Sequence, residues 1–505
     1  MKHVARMLIQ PRWLCLFAIF GFSLVTHFWG LSRFNGLVFD EVFFPKYAQN
    51  YLDGAPFFDA HPPLGKYLIA LGMRISEAFG AMGADINIKT GAWHPAWAYR
   101  WVDALAGSLL PLVFAGIAWQ LSRRWKLVLI TALLTSLDGL FLVESRYGLI
   151  NIFLVLFGLL GHYFYLSALA AMRPRMHWML MTCTSLCFGL CVSVKWSGMA
   201  FLAIPWGMWI IARLQQTWLD HAAPTQAARP THSGTSPLQR AGLVSLPLML
   251  GTLIAIPLLV YVAQYQPHLR INNKSFIDMQ KEMYNYHQSV KDGPSEHPYC
   301  SRWSTWPTMQ RPLSYLFTTR TPTDPEPTLA PPDTDPATPP LPVHAIHAMG
   351  NPVLWWLAIP ATLLMFCAAL AGASWASIGK AAETQRRRGR TPALVRTPAR
   401  LRKPLSDHAW TAIYLAAGYA VCLVPWIGIT RCSFIYHYMP SLSFAFLACA
   451  VAVDGMISRR DGWRYVGIAG LLLIVAAFIY WLPLYLGLPL SMEEWHSRMW
   501  FASWV

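Results

Sequence analysis

Long apolar stretches separated by polar segments dominate the pattern of this chain. A helix needs about 20 mostly apolar residues to cross the hydrocarbon core of a bilayer, because its backbone polar groups must be paired within the segment. Eleven stretches come close to that length. We predict membrane spans at roughly 12–31, 101–119, 127–144, 149–171, 177–194, 197–212, 243–264, 352–375, 409–428, 434–456 and 465–487.

The composition agrees with a polytopic membrane protein. Of the 505 residues, 55% are hydrophobic and only 13% are charged, and the mean hydropathy is +0.36. Such a chain is too apolar to form a set of soluble domains. We predict an all-α membrane fold whose first span is an uncleaved anchor, since no small-residue cleavage site follows it convincingly.

Basic residues cluster in loops on one side of the predicted spans. They occur in SRRWK (122–126), RPR (173–175), the tract 380–403 and SRRDGWR (458–464). Cytoplasmic loops carry an excess of Lys and Arg. We therefore predict a plasma (inner) membrane protein with a cytoplasmic N-terminus and an extracytoplasmic C-terminus. The net charge of +16 then reflects topology and contact with lipid headgroups, and no nucleic-acid motif accompanies it.

Two long segments lie on the outer side, at about 32–100 and 267–350. The second is aromatic and mixed in charge up to residue 317. It then becomes rich in Pro, Thr and Asp, which is typical of an extended tether. The predicted organisation is one membrane domain with a catalytic core at 1–320 (including 32–100 and an ordered 267–320), a tether at 321–342 and a C-terminal membrane part at 343–505.

Two adjacent carboxylates, Asp40 and Glu41, follow the first predicted span by about nine residues. Apolar residues flank them in LVFDEVFF, which should hold the backbone against an apolar surface while the carboxylates face a polar cavity. A predicted amphipathic helix begins at HPPLGK (61–66) and lies along the interface. Its prolines fix the directions of His61 and Lys66.

Seven motifs occur in an order that resembles the dolichyl-phosphate-mannose protein O-mannosyltransferase family, in its bacterial form. They are FDEVFF (39–44), HPPLGK (61–66), YRWVDALAGSLLP (99–111), ESRYGLIN (144–151), GLCVSVKWSG (189–198), HPYCSRWSTWP (297–307) and YHYMP (436–440). The resemblance implies a GT-C glycosyltransferase fold with about eleven transmembrane helices and an extracytoplasmic active site. It also implies inverting transfer of mannose from polyprenyl-phosphate-mannose to Ser or Thr of secreted or membrane proteins. The β-trefoil domain of MIR motifs found in eukaryotic relatives has no room here.

A sugar linked to a lipid phosphate already carries a stable leaving group, so the reaction needs cations at the phosphate and a base for the incoming hydroxyl. We predict Asp40 as the base and Glu41 as the group that orients acceptor or sugar, although the two residues could exchange roles. For the phosphate we predict Arg100, Arg146 and Lys195, which are isolated cations at the outer membrane level.

Further residues are predicted to shape the site or to contact the sugar and the acceptor. They are His61, Lys66, His297, Tyr299, Trp303, Trp306, Arg311, His437 and Tyr438. We expect no metal and no cofactor, because the cations supply positive charge to the phosphate. The expected partners are the lipid-linked donor, Ser/Thr-containing polypeptides and membrane lipids.

Two other functions are considered. One is a GT-C enzyme that moves a sugar or aminoarabinose from polyprenyl phosphate to a glycolipid such as lipid A, against which HPPLGK and VKWSG argue. The other is a transporter, which the lack of acidic residues at midplane disfavours; Asp138 and Asp454 lie near span ends. Self-modification of Thr321, Thr323 and Thr328 in the tether is a further hypothesis.

Overall fold

The computed structural model describes residues 10–81, 94–220, 236–291, 297–319, 342–378 and 405–505. Within these ranges, ten helical segments are long and apolar enough to cross a membrane, and Trp125–Ser136 is a shorter apolar helix. Of the predicted tether, only residue 342 lies within the described ranges, so Thr321, Thr323 and Thr328 lie outside them.

The chain is predominantly helical, as predicted. In chain order the helices are α1 Pro11–Phe28, α2 Phe44–Asp53, α3 Leu64–Ala78, α4 Ala96–Ser122, α5 Trp125–Ser136, α6 Gly139–Glu144, α7 Asn151–Ala170, α8 Pro174–Val194, α9 Met199–Asp220, α10 Leu246–Leu250, α11 Ile256–Gln264, α12 Gln266–Asn272, α13 Phe276–Ser289, α14 Pro352–Ile378, α15 Asp407–Leu423, α16 Met439–Ile457, α17 Trp463–Leu486 and α18 Met492–Arg498.

Close helix packing in the centre depends on small residues. A Cβ added at Gly161 of α7 would lie 2.4 Å from the ring of Phe188 in α8, and one at Gly418 of α15 would lie 2.3 Å from Phe444 in α16. Helices in a bilayer gain little from hydrophobicity alone and associate through such close contacts. As a result α7 and α16 are mostly buried, whereas α1 and α17 expose much of their surface.

The predicted third span is divided into two helices. α5 ends at Ser136 and α6 begins at Gly139. Asp138 caps α6 by accepting a hydrogen bond from the backbone N–H of Phe141 at 2.9 Å, and its other oxygen accepts from Asn351 N–H and from Trp355 Nε1. This buried carboxylate therefore joins the break to the start of α14.

A small sheet, which the hydrophobic pattern did not predict, covers one end of the helices. Its strands are β1 Leu313–Thr318, β2 Val343–Ala348 and β3 Pro489–Leu490, in the order β1-β2-β3 with antiparallel pairing. β2 is buried along its whole length. The sheet thus brings the second outer segment back onto the helical bundle.

We predict that Asp138→Ala destabilises the protein by about 2 to 4 kcal/mol, because buried donors lose their acceptor. Thermal unfolding in detergent, followed by intrinsic fluorescence, measures the change. Asp461→Ala is the control, since Asp461 forms an exposed pair with Arg459 and exposed pairs contribute little. Equal stability of Asp138→Ala and the unmodified protein would contradict the capping role.

Candidate active site

Asp40 and Glu41 lie in a short 3-10 turn, Phe39–Val42, between α1 and α2. Phe39 has a φ of 44°, a left-handed conformation that is strained for a bulky residue. Its ring is stacked on Tyr315 at 5.3 Å and meets the edges of His297 and Phe434. Packing from the second outer segment and from the residues before α16 therefore holds the turn in this conformation.

Glu41 is fully buried and accepts four hydrogen bonds. Oε1 and Oε2 each accept from the guanidinium of Arg100 at 2.7 Å. Oε1 also accepts from Gly148 N–H at 2.9 Å, and Oε2 from Val38 N–H at 3.1 Å. With its acceptor positions occupied by these donors, Glu41 anchors the turn.

Arg100 has no donor left for a phosphate. Its five N–H groups bind Glu41 twice and the carbonyls of Leu31, Phe34 and Gly36 once each. The side chain is 1% exposed. The geometry therefore does not support the phosphate role predicted for Arg100, and gives it a structural one.

Arg146 lies at the C-terminal end of α1. Its Nη1 donates to the carbonyl oxygens of Thr26 at 2.7 Å and His27 at 3.1 Å, where a cation suits the negative end of the helix dipole. It is buried. Its Nε is buried without a hydrogen-bond partner among the described residues, so the phosphate role of Arg146 stays a prediction.

Asp40, the neighbour of Glu41, is half-buried. Its Oδ2 accepts a hydrogen bond from the hydroxyl of Tyr436 at 3.3 Å. Burial raises the pKa of Asp40 to about 6, while the charge of Lys195 and the hydrogen bond from Tyr436 act in the opposite direction. A carboxylate in this environment is a stronger base than an exposed one.

Lys195 follows the last residue of α8, and its charge and that of Asp40 act on one another. Its Nζ donates to Asn151 Oδ1 at 2.7 Å and lies 5.1 Å from the centre of the Tyr436 ring. Asn151 Nδ2 in turn donates to Glu144 at 2.8 Å, and Tyr315 donates to the other oxygen of Glu144. This chain of polar contacts fixes the position of the ammonium group.

His61 and Lys66 shape the turn that precedes α3. Lys66 is fully buried and donates to Asp59 and to the carbonyls of His61 at 2.8 Å and Pro62 at 2.6 Å. The ring of His61 lies 5.7 Å from that of His287. Burial and the charges of Lys195 and Lys66 hold the pKa of His61 well below its ordinary value, so its imidazole is neutral at pH 7.

Of the residues predicted in the second outer segment, His297 lies nearest to the turn of Asp40, with its ring 5.5 Å from Phe39. Tyr299 donates its N–H to His297, and Arg311 covers the ring of Tyr299 while donating to the carbonyl of Pro298. Trp303 is partly buried against the helical core. Through His297, this group borders the turn that carries Asp40.

Three other predicted residues mainly pack. Trp306 is buried, donates to Ser301 and is stacked with His437 at 6.1 Å. His437 bonds the backbone of Phe434. Tyr438 is buried and donates to Tyr419 of α15, so its hydroxyl is engaged away from Asp40. These three residues therefore contribute to the packing around the start of α16.

Several site residues lie within the quoted motifs without having been predicted. Tyr436, which touches Asp40, is the first residue of YHYMP, and Glu144 and Asn151 begin and end ESRYGLIN. Asp59 lies two residues before the predicted His61, and Arg431 lies six residues before the predicted His437. An expectation that buried polar residues near a charged site are its partners would have selected Asn151 and Glu144.

A disulfide joins Cys300 of the second outer segment to Cys432, just before α16. The backbone N–H of Ser301 donates to Ser433 O at 2.7 Å beside it. In the described ranges no group of three or more His, Cys, Asp or Glu side chains could hold a metal ion.

Two family descriptions match the chain. "Dolichyl-phosphate-mannose-protein mannosyltransferase" matches residues 17–273, and "C-terminal four TMM region of protein-O-mannosyltransferase" matches residues 272–504. The chain belongs to the protein O-mannosyltransferase family. The family resemblance stated from the motifs is thereby confirmed, and the protein is a glycosyltransferase by family.

Bacterial relatives match over most of their length. The polyprenol-phosphate-mannose–protein mannosyltransferase of Corynebacterium glutamicum is 24% identical over 96% of this chain and 92% of its own. The protein of the same description from Mycolicibacterium smegmatis strain MKD8 is 23% identical over 88% and 81%. These protein O-mannosyltransferases share its overall length, so the alignment is not limited to one motif.

A solved structure shows the same fold. A chain of the S. cerevisiae protein O-mannosyltransferase Pmt1-Pmt2 complex bound to the sugar donor superposes with a TM-score of 0.70, at 14% identity, over 98% of this chain and 93% of that chain. At this identity the likeness establishes the fold alone. The GT-C fold expected of this protein O-mannosyltransferase is confirmed.

We predict that Glu41→Gln destabilises the protein by about 3 to 5 kcal/mol, because it leaves the buried charge of Arg100 without its counter-ion. Asp40→Asn should change the stability by no more than about 1 kcal/mol, since Asp40 has no buried counter-ion of this kind. Unfolding in detergent measures both changes. The double variant Glu41→Gln/Arg100→Met removes both charges and should recover part of the loss. Equal destabilisation by Asp40→Asn and Glu41→Gln would refute the division of roles.

Proposed function

We propose that this enzyme transfers mannose from polyprenyl-phosphate-mannose to Ser or Thr hydroxyls of secreted or membrane polypeptides, with inversion at the anomeric carbon. The observation that carries the proposal is the half-buried Asp40, which has Lys195 and Tyr436 at its side. The bacterial relatives align with most of this chain, and their names support both the lipid-linked mannose donor and the protein acceptor.

In the proposed reaction Asp40 accepts the proton of the acceptor hydroxyl as the oxygen attacks the anomeric carbon. The bond from that carbon to the phosphate oxygen breaks, and the phosphate leaves as an anion that needs no proton. Lys195 stabilises the negative charge on this leaving group. Inversion follows when hydroxyl and phosphate lie on opposite faces of the sugar. We propose that the reaction needs no metal ion.

We also propose that the site faces the extracytoplasmic side of the plasma membrane. The helix directions support this orientation: α8 begins at the basic loop 173–175 and ends beside Lys195, and α16 begins near Tyr436 and ends at the basic loop 458–464. Since basic loops favour the cytoplasm, Asp40 and Lys195 belong to the opposite side.

A transfer assay with synthetic polyprenyl-phosphate-mannose and a Ser/Thr peptide tests the function. We predict a mannosyl-peptide whose anomeric configuration is opposite to that of the donor. Asp40→Asn should lower kcat by about 10²- to 10⁴-fold, since a general base contributes about that factor. The chelator EDTA should leave the rate unchanged. Transfer to lipid A in place of peptide would contradict the proposed acceptor. Unchanged turnover by a folded Asp40→Asn enzyme would contradict the role of Asp40. A loss of activity in EDTA that manganese restores would contradict the metal-independent reaction.

The pH dependence reports on Asp40 directly. Burial raises its pKa to about 6, and the base must be deprotonated to accept a proton, so kcat/KM should fall about tenfold per pH unit below that value. Burial lowers the pKa of the neighbouring His61 and His287 below the ordinary value for histidine. A profile that is flat between pH 5 and 8 would contradict Asp40 as the base.

A further inference from the structure

Arg431 is a half-buried cation whose guanidinium has no hydrogen-bond or ion-pair partner among the described residues. It lies between Gly428 and Ile435, outside the helices on either side. Within the ranges that the structure describes, its guanidinium forms no hydrogen bond or ion pair. Arg100, by contrast, uses all five of its donors within the protein. A half-buried guanidinium with free donors is costly unless it meets water or an anion.

Arg431 belongs to a segment that borders Asp40. The ring of Phe434 packs edge-on against the turn that contains Asp40. The hydroxyl of Tyr436 donates to Asp40, and its ring lies 5.1 Å from Lys195 Nζ. The positive charge of Arg431 acts on both Tyr436 and Lys195. Arg431 and Lys195 are therefore two neighbouring cations that repel one another.

An anion between these cations would remove the repulsion and satisfy the free donors. A guanidinium can bind two phosphate oxygens at once, whereas an ammonium acts as a point charge. Lys195 already donates to Asn151 and retains two N–H groups. Together the two side chains suit a phosphate group better than a carboxylate of an acceptor, because phosphate offers more acceptor oxygens and more charge.

We propose that Arg431 binds the phosphate of the lipid-linked donor together with Lys195, and that the Cys300–Cys432 disulfide holds Arg431 in position. The proposal rests on the proposed function. It gives the phosphate a second cation in place of Arg100, whose donors are all engaged within the protein.

The backbone around Arg431 is tied to the second outer segment at several points. Cys432 is bonded to Cys300, and its N–H donates to Lys291 O at 3.0 Å. Ser433 O accepts from the N–H of Ser301. Without the cross-link, the segment that carries Arg431 would keep its hydrogen bonds but lose the covalent restraint on its distance from Lys195. Cys300 and Cys432 are thus positioning residues.

Binding of undecaprenyl phosphate to the purified enzyme in detergent tests the proposal without turnover. Arg431→Ala should raise the Kd about tenfold to a hundredfold, as expected for loss of a charge-assisted contact. In the transfer assay the same variant should raise the KM for the donor more than that for the peptide. Arg431→Lys should restore part of the affinity. Lys291→Ala is the matched control, because Lys291 is an exposed cation beside the same disulfide.

Competition separates the sources of phosphate. Excess undecaprenyl phosphate should protect the enzyme against thermal unfolding in an Arg431-dependent way, whereas inorganic phosphate and phosphatidylglycerol at the same concentration should not. Cys432→Ser should weaken binding in the same direction as Arg431→Ala, with unchanged affinity for the peptide. Unchanged lipid affinity of a folded Arg431→Ala enzyme would overturn the proposal. Failure of the unmodified enzyme to bind undecaprenyl phosphate or to mannosylate peptide would instead overturn the proposed function.

Discussion

The ion pair between Glu41 and Arg100 is the interaction on which the site depends. Burying two charges is expensive, and the cost is offset only when the geometry is good and the remaining donors and acceptors are satisfied. Both conditions hold here: the carboxylate accepts four hydrogen bonds and the guanidinium donates five. The pair connects the turn after α1 to α4 and to the loop at Gly148. It thereby fixes where the neighbouring Asp40 points.

The two adjacent carboxylates have different roles because of the turn in which they stand. A 3-10 helix has about three residues per turn, so successive side chains point in directions roughly 120° apart. Glu41 is directed into the protein and is fully buried, while Asp40 remains half-buried beside Tyr436. One residue supplies rigidity to the backbone of the other. A reactive group that is held in this way needs little reorganisation when the substrate binds.

The sequence predicted the helices well, because apolar length is a direct requirement of the bilayer. The division between α5 and α6 was missed, since hydropathy does not reveal that Asp138 is satisfied by donors from α14. The sheet was missed because β1 and β2 pair across a long Pro-rich segment. In the site, the motifs located Asp40 and Lys195, which share Tyr436 as a neighbour. Motif positions give no information about direction around a helix, so they did not reveal that Arg100 is turned toward Glu41.

Tyr436 links Asp40, the proposed base, to Lys195, and this explains how Asp40 can be both ionised and basic. Burial alone favours the neutral carboxylic acid, which cannot accept a proton. The Tyr436 hydroxyl stabilises the ionised form by donating to it, and the face of its ring attracts Lys195. The opposing effects leave the pKa of Asp40 at about 6, so at neutral pH most of the carboxylate is ionised. A base of this strength combines the correct protonation state with a useful affinity for the proton of a hydroxyl.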